Sequence, residues 1–162
     1  MNTEIKPVTT ANDLKVFIQL FYNLYRNSPY ATPYLYMDEV KTLSKDKNPA
    51  FDFCEAAYFL AYQQGKPVGR IAAIINRRDN EYWKRNTVRF GWFDFIEDPD
   101  VSQSLLKAVE EWGKNKGMTE MAGPLGFEDM DREGMLVSGF DTLSTMYVNY
   151  NYPYYPQHIE AM

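Results

Sequence analysis

The sequence predicts an α/β domain with a mixed sheet, in which an antiparallel hairpin is followed by a parallel β-α-β unit and helices cover both faces. Two strand patterns flank a glycine-bearing loop at 63–67, and a third strand pattern follows them. A long amphipathic helix then separates the third strand from a fourth, and such a connection leaves its two strands parallel. The 162 residues are enough for one domain with a sizeable core.

The amino-terminal part of the chain predicts a short strand and two helices. Residues 5–8 are a strand candidate, and Thr10 followed by Asp13 fits a variant of the helix-capping box. A brief second helix is expected over 36–43, after prolines that end the first helix. The apolar face of the first helix is marked by side chains at helical spacing: Leu14, Phe17, Ile18, Phe21, Leu24 and Tyr25.

The middle of the chain carries the strongest strand signal. Residues 57–62 and 68–75 are rich in aromatic and branched side chains, which predicts the β-hairpin. A polar stretch over 80–86 suits a helical turn, and residues 88–96 predict a third strand. Regular alternation in that strand assigns two sets of side chains to opposite faces: Phe90, Trp92 and Asp94 on one, and Gly91, Phe93 and Phe95 on the other.

The second half of the chain predicts one long helix, a short strand and a terminal helix. Asp98-Pro99-Asp100 suits a helix start, because proline fits the first turn and acids favour the positive end of the helix dipole. Residues 118–122 predict a strand, 125–147 show no regular pattern, and 154–162 predict a helix. The buried face of the long helix is marked by apolar residues at helical spacing: Val101, Leu105, Val109 and Trp112.

Composition and charge narrow the function classes. The net charge of −5 argues against a general nucleic-acid binder. The chain has one cysteine, Cys54, and one histidine, His158, so we expect neither a disulfide framework nor a metal site. No apolar run approaches the roughly 20 residues of a membrane span. The first residues also lack an apolar signal core, and we therefore expect a cytoplasmic protein without membrane contact.

The charges are unevenly distributed along the chain. Residues 70–89 are predominantly basic, whereas residues 94–141 are predominantly acidic. A basic strip on an acidic body is compatible with a phosphate-bearing ligand. It is equally typical of a solvated face that balances the acidic half by surface pairing, and the sequence leaves both interpretations open.

The last third of the chain carries four short motifs: Gly123-Pro124, Gly134-Met135-Leu136-Val137, Gly139-Phe140-Asp141 and Tyr150-Asn151-Tyr152-Pro153-Tyr154-Tyr155. Together with the order of the elements, these motifs resemble the GNAT acyltransferase superfamily, in a branch of N-acetyltransferase-like proteins. The resemblance spans most of the chain, and the final Ile159-Glu160-Ala161-Met162 is similar to the Tyr-Glu-x-Leu of the superfamily's last helix. Such domains continue into two more strands, so we expect 1–162 to be a single GNAT-like domain, incomplete at its carboxyl end.

The resemblance implies an acyl-CoA-dependent N-acyltransferase that binds acetyl-CoA between two parallel strands and acts on a small amine. By position, Asp94 matches the general base, and Tyr155 substitutes for the tyrosine that protonates the leaving thiolate. The implied cofactor contacts are the backbone N–H groups near Phe95 and Ile96, which would stabilise an oxyanion, and Ser102 at the helix start. The implied substrate contacts are Trp92, Tyr150, Asn151 and Tyr154.

Two departures from the superfamily pattern keep a second interpretation open. The segment 97–102, where a glycine-rich loop would cradle the pyrophosphate, has three carboxylates, a proline and no glycine. Ile159 stands where the motif has tyrosine. The alternative is a non-catalytic GNAT-like binding or structural module of a larger tandem protein. In that case Asp94 is a strand-end acid bonded to nearby backbone, and His158 is a surface residue.

The sheet of such a domain would end early and leave an exposed edge. An exposed edge predicts a homodimer.

Overall fold

A single five-stranded sheet is the frame of the protein. The computed structural model describes residues 2–162, and its strands lie side by side in chain order. The first four strands in chain order run antiparallel, each to the next, whereas the fifth strand runs parallel to the fourth. This confirms the predicted mixed sheet. The strands are β1 (Glu4–Pro7), β2 (Cys54–Gln63), β3 (Lys66–Asn76), β4 (Thr87–Phe95) and β5 (Glu120–Ala122).

Among residues 2–162, four α-helices and one 3₁₀ turn (Pro49–Asp52) lie between strands, and a fifth α-helix follows the last strand. The capping box predicted at Thr10 is confirmed, because Thr10 Oγ1 accepts from the Asp13 N–H at 3.1 Å and Asp13 Oδ2 accepts from the Thr10 N–H at 2.9 Å. The turn expected over 80–86 is a helix that starts earlier, at Arg77. The helices are α1 (Ala11–Leu24), α2 (Tyr36–Leu43), α3 (Arg77–Trp83), α4 (Pro99–Asn115) and α5 (Tyr154–Glu160).

The hairpin between β2 and β3 is tighter than predicted. The strands extend to Gln63 and from Lys66, so only Gln64 and Gly65 form the turn. Both turn residues have positive φ, 50° and 73°. Positive φ at two consecutive turn residues matches the right-handed twist of the flanking strands, which explains why the strands pair up to the turn.

Helices cover both faces of the sheet, as predicted. On one face, α4 buries Val101, Leu105 and Val109 against alternate side chains of β3 and β4. On the other face, α1 buries Phe17 and Ile18 against the intervening side chains. Successive side chains of β3 therefore point alternately into two separate cores, and the sheet is buried on both sides.

An extra residue in β4 breaks the alternation that the sequence predicted. Ala72 pairs with Gly91 and Arg70 pairs with Asp94, so Trp92 and Phe93 together face the single residue Ile71. This is a β-bulge, and Trp92 takes a left-handed backbone with φ 45°.

The bulge changes which side chains share a face. The prediction that placed Phe90 with Trp92 and Asp94 is wrong, because Phe90 packs with Phe93 and Phe95 on the α4 side. Trp92 packs instead in the core on the α1 side.

The chain leaves the sheet after β5 and crosses β4 without regular structure. Residues 123–153 contain no helix or strand, and the Leu125 N–H donates to the Phe90 carbonyl at 2.8 Å. Gly91 allows this close approach, since a Cβ there would collide with the Leu125 carbonyl oxygen. The irregular segment is thereby held over the bulge.

We expect Gly91→Ala to lower the free energy of unfolding by about 1–3 kcal/mol, because the new methyl group must push the backbone of Leu125 away. Urea denaturation measures the change. Gly117→Ala is the control, since Gly117 also lacks a side chain but has nothing within 4 Å of the added Cβ. Its cost is confined to its left-handed backbone, about 1 kcal/mol. A Gly91→Ala protein as stable as the wild type would contradict the close approach.

Candidate functional site

A cavity of about 200 Å³ lies between α2, the bulged end of β4 and the irregular segment 123–153. Of the nine residues that the sequence singled out, those that line the cavity are Trp92, Asp94, Tyr150, Asn151 and Tyr155. The cavity is also lined by charged side chains that the sequence analysis did not assign to the site: Asp38, Glu39, Arg70, Asp131 and Arg132.

Asp94 is held in a buried ion pair with Arg70. Arg70 Nε and Nη2 both lie 2.7 Å from Asp94 Oδ2, and Arg70 is 1% exposed. A third nitrogen, Nη1, donates to the Phe17 carbonyl at 3.0 Å. Burial by itself lowers the pKa of Arg70, but the charges of Asp94 and Glu39 outweigh burial and raise it. Asp94 is therefore bound to a permanent cation rather than to nearby backbone.

Two tyrosines extend from Asp94 in a chain of hydroxyl groups. Tyr25 is the residue directly after α1, at its C-cap. Its hydroxyl donates to Asp94 Oδ1 at 3.1 Å, and its oxygen lies 2.8 Å from the Tyr155 hydroxyl oxygen. A carboxylate only accepts, so Tyr25 uses its proton on Asp94 and Tyr155 donates to Tyr25. The Phe95 N–H donates to the Tyr155 oxygen at 3.1 Å and fixes the far end of the chain.

Both hydroxyl groups in this chain stay neutral. Burial raises the pKa of Tyr25 and of Tyr155 well above the ordinary value, and the negative charge of Asp94 adds to the effect. Neutral hydroxyls joined in one direction to a carboxylate can pass a proton between the cavity and that carboxylate. Tyr25 was missed by the sequence analysis because its spacing matches the apolar face of α1.

A second carboxylate, Glu39, is buried in the same cavity. Trp92 Nε1 donates to Glu39 Oε2 at 2.8 Å, and Arg132 binds Glu39 Oε1. The Arg132 guanidinium also lies over the ring of Tyr34, 3.3 Å from its centroid. A signal for Glu39 exists in the sequence, since it lies four residues before the buried Leu43 on the same face of α2. Arg132 lies in the irregular segment, where no pattern marks it.

Asn151 and Tyr150 shape the cavity wall through the backbone of the irregular segment. The Leu136 N–H donates to Asn151 Oδ1 at 2.7 Å, and Asn151 Nδ2 donates to the Leu136 carbonyl at 3.0 Å. The Tyr150 hydroxyl donates to the Phe140 carbonyl at 2.9 Å. The polar groups of these two side chains are therefore already engaged in holding the wall.

The residues suggested for cofactor binding lie outside the cavity lining. The Ile96 N–H donates to the Val68 carbonyl at 3.0 Å, and the Phe95 N–H is taken by Tyr155. Tyr154 also lies outside it, and its hydroxyl donates to the Phe95 carbonyl at 2.6 Å. These backbone groups are therefore occupied in the present structure.

Ser102 and His158 form a pair beside α4. Ser102 Oγ donates to the Pro99 carbonyl at 3.1 Å and lies 2.8 Å from His158 Nδ1. The His158 ring packs against the Phe95 ring, 5.2 Å between centroids. The expected surface position of His158 is therefore only partly correct, because its side chain is half-buried and contacts Ser102 and Phe95.

The start of α4 does not fit the pyrophosphate loop of the GNAT superfamily. Asp98 Oδ1 accepts from the Asp100 N–H at 2.9 Å, and the Asp98 carbonyl accepts from the N–H groups of Val101 and Ser102 at 3.1 and 3.3 Å. Pro99 has no N–H to offer. A hydrogen bond from Gln63 lowers the pKa of Asp98, so this carboxylate is charged at neutral pH. The backbone donors there are engaged, and an anion would also meet a negative charge.

The basic residues of 70–89 do not provide a replacement anion site at the start of α4. Arg70 is buried in the pair with Asp94, and Arg89 Nη2 lies 3.2 Å from Asp79 Oδ2 at the opposite end of β4 from α4's start. Arg77 pairs with Glu55 on the surface. The expected surface pairing is confirmed for Arg77, whereas Arg70 and Arg89 are buried, so the strip is not one solvated face.

Comparison with solved structures shows the fold of the GNAT superfamily. A tandem GNAT protein from the clavulanic acid biosynthesis pathway has a TM-score of 0.57 and 16% identity, over 74% of this chain and 35% of that chain. The acetyltransferase AAC(6')-Iy, in complex with a CoA-containing bisubstrate analogue, has a TM-score of 0.51 and 20% identity, over 80% and 83% of the two chains. The PaiA N-acetyltransferase from Thermoplasma acidophilum, in complex with coenzyme A, has a TM-score of 0.50 and 17% identity, over 78% and 82%. The chain therefore has the GNAT fold that its sequence resembles.

Two curated proteins are similar in sequence, whereas no family model matches. The chain is 34% identical to Protein YghO of Escherichia coli (strain K12) over 158 residues, 98% of this chain and 40% of that protein. It is 37% identical to the bacterial ceramide synthase of Caulobacter vibrioides over 138 residues, 84% of this chain and 36% of that protein. The chain thus spans well under half the length of both relatives.

Two further findings concern residues 2–162 as a whole. None of their helices has the length and apolar character needed to cross a membrane. Within the same residues, no three histidine, cysteine or acidic side chains are grouped as metal ligands would be.

We expect Arg70→Met to destabilise the protein by about 3–5 kcal/mol, because it leaves the Asp94 carboxylate buried without its cation. The double variant Arg70→Met/Asp94→Leu removes both charges and is expected to recover most of this loss. Urea denaturation of the two variants and the wild type gives the comparison. A double variant no more stable than Arg70→Met would show that packing, not the unpaired charge, causes the loss.

Proposed function

We propose that this chain is the amine-binding GNAT domain of an acyl-CoA-dependent N-acyltransferase. The observation that carries the proposal is the cavity beside the β4 bulge, which contains two buried carboxylates, Asp94 and Glu39. Carboxylates in a partly enclosed cavity favour cationic ligands, and an acceptor amine is a cation at neutral pH. Solved acetyltransferases with this fold contain an aminoglycoside-derived bisubstrate analogue or sisomicin, which supports an amine as the acceptor.

The hydroxyl chain gives Asp94 and Tyr155 complementary roles in this proposal. An amine must lose a proton to act as a nucleophile, and Asp94 is the acceptor at the end of the chain. Tyr155 exchanges the proton at the cavity, as its oxygen receives one while its own proton passes to Tyr25. No tyrosine has to carry a charge during the transfer, which agrees with their raised pKa.

The acyl donor implied by the fold is acetyl-CoA or another acyl-CoA. The start of α4 does not fit the pyrophosphate of such a donor. We retain Phe95, Ile96 and Ser102 as proposed contacts for it. Each would first have to give up its present hydrogen bond, to Tyr155, Val68 and His158 respectively.

The mouth of the cavity favours an amine with a long apolar chain. Four large apolar side chains line the cavity and are also exposed to solvent by 42–87%. Exposed apolar groups clustered around a pocket are typical of a binding surface for an apolar ligand. One relative is named a ceramide synthase, and a ceramide is an N-acylated long-chain amine. The four side chains are Leu35, Met130, Met146 and Tyr147.

The second candidate function is a non-catalytic GNAT-like binding or structural module of a larger tandem protein. The observation in its favour is the start of α4, where Asp98 engages the backbone donors and Pro99 removes one. Such a module would keep the amine cavity and lack the donor site. Fold alone does not decide between the two functions.

We expect the chain to form an amide from an acyl-CoA and a member of a panel of primary amines, detected by mass spectrometry. Asp94→Asn and Tyr155→Phe should each reduce the rate by about 10²–10⁴-fold, the range typical of a lost proton-transfer group. Tyr58→Phe is the matched control, since Tyr58 also donates a buried hydroxyl, to the Leu43 carbonyl, but does not line the cavity.

Calorimetric titration with acetyl-CoA separates the two functions. Binding at micromolar concentration would favour the enzyme, because tight binding of acetyl-CoA requires a site for the acyl donor. No heat up to millimolar ligand, together with no amide from any amine, would rule out the enzyme for this chain and favour the binding module.

We also propose that residues 1–162 act as one GNAT-like domain and that it forms a homodimer through a sheet edge. The sheet is open, with β1 and β5 as its edge strands, and an edge of unpaired backbone groups is available to a second copy. Light scattering at high protein concentration should report twice the monomer mass. A monomer mass at all concentrations would refute the dimer.

A further inference from the structure

We propose that Glu39 and the ring face of Tyr34 form a binding site for an alkylammonium group, and that the Arg132 side chain fills this site until the ligand displaces it. The identity of the ligand as an acceptor amine rests on the proposed function. The site itself rests on the geometry of three side chains at the cavity wall.

Glu39 provides the negative charge of the site. Its side chain is 5% exposed, and among residues 2–162 its one ion pair is with Arg132. Trp92 Nε1 donates to its other oxygen at 2.8 Å, which fixes the carboxylate but adds no charge. A buried carboxylate without a cation is costly, so Glu39 requires one at all times, either from the chain or from a ligand.

Tyr34 provides an aromatic face beside that carboxylate. One side of its ring stacks on Phe21, 4.3 Å between centroids, while the Arg132 guanidinium lies over the ring at 3.3 Å from the centroid. The backbone of Tyr34 is also fixed, because its carbonyl accepts from the Tyr22 hydroxyl at 2.7 Å. A carboxylate next to a rigid aromatic face attracts ammonium groups as well as guanidinium groups.

Arg132 can leave the site more readily than any other charged partner in the cavity. Its side chain is 20% exposed, against 1% for Arg70. Arg132 lies in the irregular segment 123–153, and the neighbouring Asp131 holds the turn by accepting from the Phe127 N–H at 2.7 Å. The guanidinium can therefore swing into solvent while the backbone of the turn stays in place.

Asp94 is less suitable for binding an ammonium group. Arg70 takes its Oδ2 with two nitrogens, and Tyr25 donates to its Oδ1. Displacing Arg70 would leave a fully buried guanidinium without a partner. Glu39 therefore binds the cation, while Asp94 remains available for proton exchange in the same cavity.

Trp92 supplies a direct readout, because its indole N–H is bonded to Glu39. In a protein with Trp83→Phe and Trp112→Phe, Trp92 is the remaining tryptophan, and octylamine is titrated while its emission is followed. Octanol is the neutral ligand control. We expect a saturable change with octylamine at a much lower concentration than with octanol.

Variants of the two charged residues test the displacement. Arg132→Met keeps much of the apolar stem and should tighten octylamine binding about tenfold, because the ligand no longer competes with the guanidinium. Glu39→Gln should weaken binding at least tenfold. Arg78→Met is the matched control, since Arg78 lies over the Phe53 ring at 4.1 Å and does not line the cavity, and it should leave the affinity unchanged.

Thermal unfolding gives an independent result if Glu39→Gln does not fold. Octylamine should raise the Tm of Arg132→Met more than that of the wild type, because the ligand replaces the missing cation. Equal affinity in Arg132→Met and the wild type, or equal binding of octanol and octylamine, would overturn the site. These measurements use no acyl donor, so an absence of amide formation would refute the proposed function and leave the ammonium site standing.

Discussion

The β-bulge at Trp92 is the constraint on which the site depends. One extra residue in β4 puts Phe90 on the same face as Phe93 and Phe95, in the core beneath α4, while Trp92 and Asp94 line the cavity. A left-handed backbone at a tryptophan costs about 1–2 kcal/mol. The hydrogen bond from Trp92 to Glu39 and the packing of the indole on the α1 side offset that cost. Without the bulge, regular alternation would put Phe90 on the same face as Trp92 and Asp94 rather than with Phe93 and Phe95, so the strain serves the packing that surrounds the cavity.

Two buried ion pairs in one cavity differ in how easily they exchange their cation. Arg70 is enclosed by the sheet and by the Phe17 carbonyl, so its pair with Asp94 is permanent. Arg132 reaches Glu39 from the irregular segment and remains partly in solvent. Removing one member of a buried ion pair is costly unless another charge replaces it. Of the two pairs, only Glu39–Arg132 can therefore exchange its cation for the cationic group of a ligand. The two carboxylates can therefore divide the work, one binding a cation and the other exchanging a proton.

Local sequence signals predicted the frame of this protein better than its site. The capping box at Thr10 and the bounds of α2 are short-range features, and both are confirmed. The bulge was missed because alternation assumes one residue per position, and β4 has two residues opposite Ile71. Tyr25 and Asp94 were not connected because they are 69 residues apart in the chain. Arg70 was assigned to a basic surface strip, since charge in a sequence does not show which member of the strip is buried. The pairing of Arg70 with Asp94 and of Arg132 with Glu39 depends on long-range packing, which no periodicity in the sequence encodes.

The start of α4 and the surroundings of Glu39 on α2 show the same arrangement with opposite charges. At the start of α4, Asp98 takes the position of an anion on the backbone donors, and at Glu39, Arg132 takes the position of a cation. The consequences differ because the attachments differ. Asp98 is the helix cap, so removing it would expose the first turn of α4, and Pro99 would still lack a donor. The Arg132 guanidinium lies at the end of a long side chain, which can rotate away without disturbing any helix. In the proposed enzyme, the Glu39 side of the cavity can therefore exchange its internal cation for a ligand, whereas the start of α4 keeps its own anion.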